Sequence, residues 1–201
     1  MTGIKVVNLK LLIESLGEST TKSILSDFSC PLNPDVENFL KRDAIEFAKQ
    51  GLSAVHLVMM NYKEMPVMVG YFALANKYVT IRPKNLSKTN KKKILKFSTY
   101  NEYLDEYSFA APLIGQLGKN FKNGYNDLIT GDQLLKLAVD KLSKIQLDIG
   151  GKWIYLECED KQKLIEFYKE NGFIDFGKRQ LEKDETDLQG QYLVQMLRYI
   201  K

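Results

Sequence analysis

The chain has 201 residues, of which 44% are hydrophobic and 27% charged. That composition excludes wholesale disorder, and at ~150 residues per domain the length suits one domain with decorations. Lys and Arg number 29 against 25 Asp and Glu, a net charge of +4, which is too small an excess to declare a nucleic-acid binder but permits an acidic ligand.

A chain of this size buries ~70% of its unfolded surface and needs no disulfide or metal staple. Cys30 and Cys158 form no C-x-x-C pair, and His56 is the only histidine. Multi-histidine or multi-cysteine zinc sites are therefore excluded, and Ser-His-Asp chemistry has little room. The start, Met1-Thr2-Gly3-Ile4-Lys5, lacks signal-peptide features, and no uncharged apolar run approaches ~20 residues. The expectation is a cytoplasmic protein with no membrane span, no metal and reduced thiols.

In chain order, the segment before Phe28 reads as helical. Leu9, Leu11, Leu12, Ile13 and Leu16 cluster, with Gly17 as a stop. Cys30 to Pro34 is a proline-punctuated loop. A helix over about 35–50 follows, with Val36, Phe39, Leu40, Ala44, Phe47 and Ala48 at three- and four-residue spacing and Gly51 as its cap. Residues 53–60 and 67–81 read as an antiparallel hairpin joined by a loop from Asn61 to Pro66. The bridge over 82–97 carries Lys84, Lys88, Lys91, Lys92, Lys93 and Lys96. It reads as a solvated loop and short helix, or else as an anion or RNA contact surface.

Residues 109–117 are a further apolar run. A polar loop over 118–130 then leads into a helix bearing Leu134, Leu135, Ala138, Leu142 and Ile145 on one face. Residues 153–158 read as a strand. Asp160 is placed to cap a helix with the stripe Leu164, Ile165, Phe167 and Tyr168, which ends at Asn171-Gly172. Strands over 173–176 and 192–200 close the chain, with a polar loop over 180–191 between them. The order predicts one α/β domain over 1–201, a mixed, mostly antiparallel sheet flanked by helices, with a helical extension at about 1–27.

Two places carry candidate chemistry on pattern alone. Thr130-Gly131-Asp132-Gln133 fits a capping box, so a helix N-terminus falls near Gly131, preceded by Lys119, Lys122, Gly124 and Asn126. A helix N-terminus, flanking lysines and a glycine suit a phosphate, although the loop is neither a Walker A nor a G-x-G-x-x-G motif. Glu157 and Glu159 alternate onto one strand face, as a candidate base or as a solvated strand end. Cys158 between them reads as a buried hydrophobe, and His56 as a packed or edge residue.

Three segments resemble the GNAT superfamily of N-acetyltransferases. Leu113-Ile114-Gly115-Gln116-Leu117-Gly118-Lys119 is similar to the strand entering the cofactor loop. Asn126 to Leu135 resembles the R/Q-x-x-G-x-G/A pyrophosphate motif, with Asn126 at the Arg/Gln position, Ile129 at the first glycine and Gly131 retained. Ile165 to Phe173 resembles the F-Y-x-x-x-G-F signature. Phe28-Ser29-Cys30, Asn38-Phe39-Leu40 with Ala44, and Gly51-Leu52-Ser53 resemble the N-terminal part of toxin-type bacterial GNAT enzymes, which are paired with antitoxins and acetylate aminoacyl-tRNA.

The resemblance implies a V-shaped opening between two central strands, over 114–117 and 154–158, that admits acetyl-CoA as cosubstrate. It places Gln116, Leu117, Lys122, Asn123, Gly124, Asn126, Ile129, Thr130, Gly131 and Asp132 at the cofactor. Tyr168 would be the general acid, its plainer role being a core aromatic, and Glu157 the candidate base. The implied reaction is acetyl transfer to a primary amine by direct attack, with aminoacyl-tRNA, a small amine or a protein amine as acceptor. Implied partners are tRNA through Lys84 to Lys96, an antitoxin, and a second copy in a homodimer. The alternative function is a non-catalytic acyl-CoA-binding or interaction module on the same scaffold.

Overall fold

The computed structural model describes residues 3–183, 185, 187–188 and 190–200. Strands β1 (Ile4–Asn8), β2 (Ala54–Tyr62), β3 (Met65–Ile81), β4 (Thr99–Asn101), β5 (Glu106–Lys119), β6 (Trp153–Glu159), β7 (Ile174–Gln180) and β8 (Tyr192–Tyr199) form a mixed, mostly antiparallel sheet. Their order is β1-β2-β3-β5-β6-β8-β7, with β4 beside β5. The helices are α1 (Leu9–Leu16), α2 (Glu18–Ser26), α3 (Pro34–Asn38), α4 (Ala44–Gln50), α5 (Lys88–Ile94), α6 (Gly131–Ile149) and α7 (Gln162–Glu170). The chain forms two compact units. One holds the chain up to Ala75 with Ile114–Ala138, and the other holds Asn76–Leu113 with the chain from Val139 onward.

In the first unit the N-terminal segment is not all helical. Ile4–Asn8 is a strand that pairs antiparallel with β2, Ile4 opposite Met60 and Asn8 opposite His56. The Asn8 side chain then caps α1, accepting from the amides of Lys10 and Leu11. This strand is invisible to local pattern because its partner lies some fifty positions away. The expected helix over 35–50 is continuous through a π-helical turn over Phe39–Asp43. It ends at Gly51, whose φ of 74° is the left-handed cap glycine favours.

The hairpin is tighter than its sequence suggests. Pairing runs on to Asn61 opposite Pro66 and Tyr62 opposite Met65. Only Lys63 and Glu64, both at positive φ, form the turn, as in a two-residue type I′ connection. Because β1 covers β2, His56 is a packed residue, 3% exposed and stacked on Phe72 at 5.0 Å.

The core of this unit gathers Leu9, Leu25, Phe28, Val36, Leu40, Leu57 and Tyr71. Tyr71 is sealed yet satisfied, its hydroxyl donating to the Val36 carbonyl at 2.6 Å. Two glycines permit the tightest approaches. A Cβ at Gly70 would stand 2.7 Å from the Gly118 carbonyl oxygen, and one at Gly118 would collide with Val36 Cγ1.

The second unit packs Val79, Ile81, Ile94, Tyr107, Phe109, Trp153, Tyr155, Phe176 and Leu197 into its own core. The short helix expected in the lysine-rich bridge is α5, capped by Ser87 and anchored by fully buried Ile94. β4 and β5 form a hairpin that the sequence did not announce. Asp160 does not cap α7: its carboxylate pairs with Lys178, and Lys161 holds the cap position without a side-chain bond. Within the expected loop over 180–191, Gln180 ends β7, and Asp184, Thr186 and Gln189 lie outside the described residues.

The close approach at Gly70 is to backbone, which cannot rotate away. We predict that Gly70→Ala lowers stability by about 2–3 kcal/mol, read as a drop in the denaturant midpoint with an unchanged slope.

Candidate active site

In the first unit the loop after β5 is held by one buried side chain. Asn120 is 1% exposed. Its Oδ1 accepts from the amides of Ser29 and Lys122, both at 3.0 Å, and its Nδ2 donates to the carbonyls of Asp27 (3.2 Å) and Met68 (2.8 Å). All four bonding positions of the carboxamide are thus used. Its own amide donates to the Val69 carbonyl, and the Phe121 amide to the Ser29 carbonyl at 2.7 Å. Pattern reading did not single out Asn120, because each of its partners is distant in sequence or reached through the backbone.

Beyond Asn120 the chain makes an irregular turn over Lys122–Leu128, with Asn123 and Gly124 both left-handed. A Cβ at Gly124 would meet nothing within 4 Å, so this face of the loop is open. The lysines brace the loop rather than standing free. The Lys119 ammonium donates to the Asn126 carbonyl at 2.9 Å, and Lys122 pairs with Asp27. The Asn126 side chain donates to Asp127. Gln116 donates to Asp35 at 2.9 Å, beside half-buried Leu117. The Lys122 amide donates to Asn120 Oδ1.

The capping box is formed as expected. The Thr130 amide donates to Gln133 Oε1 at 2.9 Å, and the Gln133 amide to Thr130 Oγ1 at 3.1 Å. Gly131 and Asp132 open α6, a helix of 19 residues whose N-terminal end is electropositive. Ile129, at the position of the motif's first glycine, is extended (φ −142°, ψ 138°) and 2% exposed. Its side chain therefore lies in the interior, and its backbone does not require glycine. The open face at Gly124 and the helix start at Gly131 fit a diphosphate.

The second unit carries Tyr168 and Glu157. Tyr168 is 8% exposed and packs edge-on against Phe167 (5.0 Å) and Phe173 (5.8 Å). Burial raises its pKa, so the phenol keeps its proton at neutral pH. Among the described residues its hydroxyl has no hydrogen-bond partner, and it can donate to a ligand atom.

Glu157 is differently placed. Arg179 grips both of its oxygens, Nε to Oε1 at 2.7 Å and NH2 to Oε2 at 2.6 Å, and the Tyr155 hydroxyl donates to Oε1 at 2.5 Å. Arg179 also grips Glu185 at 2.6 and 2.8 Å, and Gln195 donates to the Tyr155 hydroxyl. Burial alone would raise the Glu157 pKa, but the bonds from Arg179 and Tyr155 outweigh it and bring it below the ordinary value. A carboxylate held ionised, with its oxygens occupied, is a weak proton acceptor. Glu157, the candidate base, is thus bonded at both oxygens, and Arg179 had no sequence signal beyond its charge. Glu159 is 7% exposed and paired with Lys161. Cys158 is buried beside Met196, its thiol pushed up to about 12 first by burial, an inert side chain at neutral pH. Among the described residues no cluster of His, Cys, Asp and Glu could hold a metal, and no helix is long and apolar enough to cross a membrane.

The fold is shared with solved bacterial toxin structures. No protein-family model matches the sequence, and no curated protein is similar to it. Among solved structures, it is similar to AtaT complexed with acetyl-methionyl-tRNAfMet, with a TM-score of 0.62 and 18% identity over 95% of this chain and 93% of that one. A tyrosine-to-phenylalanine mutant of KacT gives 0.63 and 15% identity over 96% and 94%. AtaTR bound with AcCoA gives 0.59 and 18% identity over 97% and 94%. At these identities the likeness shows the fold.

The two buried polar groups can be tested through stability. Asn120→Ala leaves several backbone groups without partners, each worth ~1–3 kcal/mol, so the variant is expected to lose about 3 kcal/mol or more in chemical denaturation. In the second unit, Glu157 and Glu185 both have pKa values below the ordinary 4.5. Their contribution is present above that pH and is lost as pH falls through the lowered values. Arg179→Met should cost about 2 kcal/mol at neutral pH, less than a fully buried pair, and the difference from wild type should shrink in acid.

Proposed function

We propose that the protein is an acetyl-CoA-dependent N-acetyltransferase whose acceptor is the amino group of an aminoacyl-tRNA. The observation that carries the reading is Tyr168: a buried, protonated phenol with a hydroxyl unpartnered among the described residues, on a helix that matches the F-Y-x-x-x-G-F pattern in a chain with the acetyltransferase-toxin fold. Acetyl-CoA supplies the activated acetyl group. The loop from Asn123 and the α6 N-terminus would hold its pyrophosphate. The acceptor amine bonds to the acetyl carbon as the carbon–sulfur bond breaks. Tyr168 Oη delivers its proton to the departing sulfur, and water removes the proton from the amine. Glu157 is assigned to holding Arg179 and Tyr155 in place.

Charge and one structural neighbour support this choice of acceptor. AtaT was solved with acetyl-methionyl-tRNAfMet, and here Lys84, Lys88, Lys92 and Lys96 line α5 and its flanks, where a phosphate backbone can reach them. Lys91 and Lys93 instead lie over the rings of Tyr107 (5.9 Å) and Tyr199 (4.7 Å). We assign the other four lysines to the RNA backbone. An antitoxin partner belongs to the same reading, since an AtaT mutant was also solved with the C-terminus of the antitoxin AtaR. The competing reading, a non-catalytic acyl-CoA-binding or interaction module on the same scaffold, predicts that no amine releases free coenzyme A.

Acetyl-CoA and coenzyme A, but not ATP, should raise Tm. Tyr168→Phe should keep that shift while lowering acetyl transfer to aminoacyl-tRNA by about 100-fold or more, in the range for loss of a general acid. Unchanged transfer would remove Tyr168 from the chemistry. Replacing Lys84, Lys88, Lys92 and Lys96 with Ala should weaken tRNA binding and flatten its log–log salt dependence by ~0.7–0.9 for each phosphate no longer neutralised.

A further inference from the structure

The first unit carries an aromatic pair outside its buried core, exposed Tyr62 and half-buried Tyr125. Tyr62 ends β2 at the two-residue turn and is 37% exposed. Opposite it across the hairpin is Met65, 65% exposed. The ring of Tyr62 meets the ring of Tyr125 edge to face, with centroids 6.1 Å apart and planes at 72°. Tyr125 directly follows the left-handed Asn123-Gly124 pair, and the Asn123 amide reaches its hydroxyl at 3.5 Å. The Lys63 ammonium lies 5.3 Å from the Tyr62 ring centre. The face of the loop beside Tyr125 is the one where a Cβ at Gly124 would meet only open space.

Two rings locked at a fixed angle lose little freedom on binding a flat partner, and a nearby ammonium adds attraction for phosphate. Rings, cation and open backbone loop together match the two halves of a nucleotide, a planar base and its phosphates. We propose that Tyr62 and Tyr125 form a stacking platform for the adenine at the end of the CoA molecule. The inference rests on the loop being the acyl-CoA site and extends that site to a subsite built from the β2–β3 turn. Tyr62 is some sixty positions from the loop, so no sequence motif could have included it.

The test measures binding of acetyl-CoA, of the adenosine bisphosphate that ends CoA, and of S-acetyl phosphopantetheine, which lacks the nucleoside, with tRNA binding followed alongside. Wild type is compared with Tyr62→Ala, Tyr125→Ala and the two Phe variants. Loss of a stacking ring is expected to raise Kd for acetyl-CoA and for the bisphosphate by about tenfold. Binding of S-acetyl phosphopantetheine should be unchanged, and each Phe variant should bind as wild type does. Equal weakening of all three ligands would show that the rings only shape the loop, and would overturn the proposal. Unchanged binding in the Ala variants would overturn it too. So would loss of tRNA binding with nucleotide binding intact, which would give the rings to RNA. If wild type binds neither acetyl-CoA nor the bisphosphate, both this proposal and the acetyltransferase reading fall. If it binds only the bisphosphate, in a ring-dependent way, the platform stands and the acetyltransferase reading falls.

Discussion

The carboxamide of Asn120 is the interaction on which the rest of the first unit depends. One side chain joins the end of β5, strand β3 at Met68, the segment after α2 at Asp27 and Ser29, and the amide of Lys122. In an interior, four satisfied bonds rigidify a junction, whereas one missing partner makes it costly. The position of the loop over Lys122–Leu128 follows from this junction. So does its open face, because the chain leaves Asn120 already aimed, and Lys119 and Lys122 tie the turn down from either end. The glycines at positions 70 and 118 serve the same arrangement by letting backbone approach backbone and the Val36 side chain.

The second unit separates two kinds of polar group by environment. Tyr168 sits among Phe167 and Phe173, where low polarity disfavours the phenolate and preserves the acid. Glu157 sits against a guanidinium and a phenol, where each hydrogen bond favours the carboxylate. Both groups are buried, yet their pKa values move so that each keeps a different form: Tyr168 keeps its proton, and Glu157 keeps its charge. Arg179 extends that hold to Glu185.

Much of the chain is legible without coordinates. The α6 start is written in Thr130 and Gln133, the α7 end in Asn171 and Gly172, and the α4 end in Gly51. Each is an interaction within a few residues, which local sequence can encode. The failures share the opposite property. β1 needs β2, β4 needs β5, and Asp160 is drawn from capping α7 by Lys178 on β7. Ile129 stands at a glycine position of its motif, and only the structure shows that its side chain lies in the interior.

By itself the sequence determined most element types, the alternation of apolar faces and the residue kinds available for chemistry: one phenol at a signature position, a capped helix start, a run of lysines. Those depend on propensities and spacings that act along the chain. Tertiary structure alone decided the electrostatic state and the pairing of each group. It set whether Glu157 is free or gripped, which lysines lie over aromatic rings, what anchors the loop, and which aromatic ring meets Tyr125. These outcomes depend on distances between residues remote in sequence, and burial and Coulomb attraction act through space rather than along the backbone.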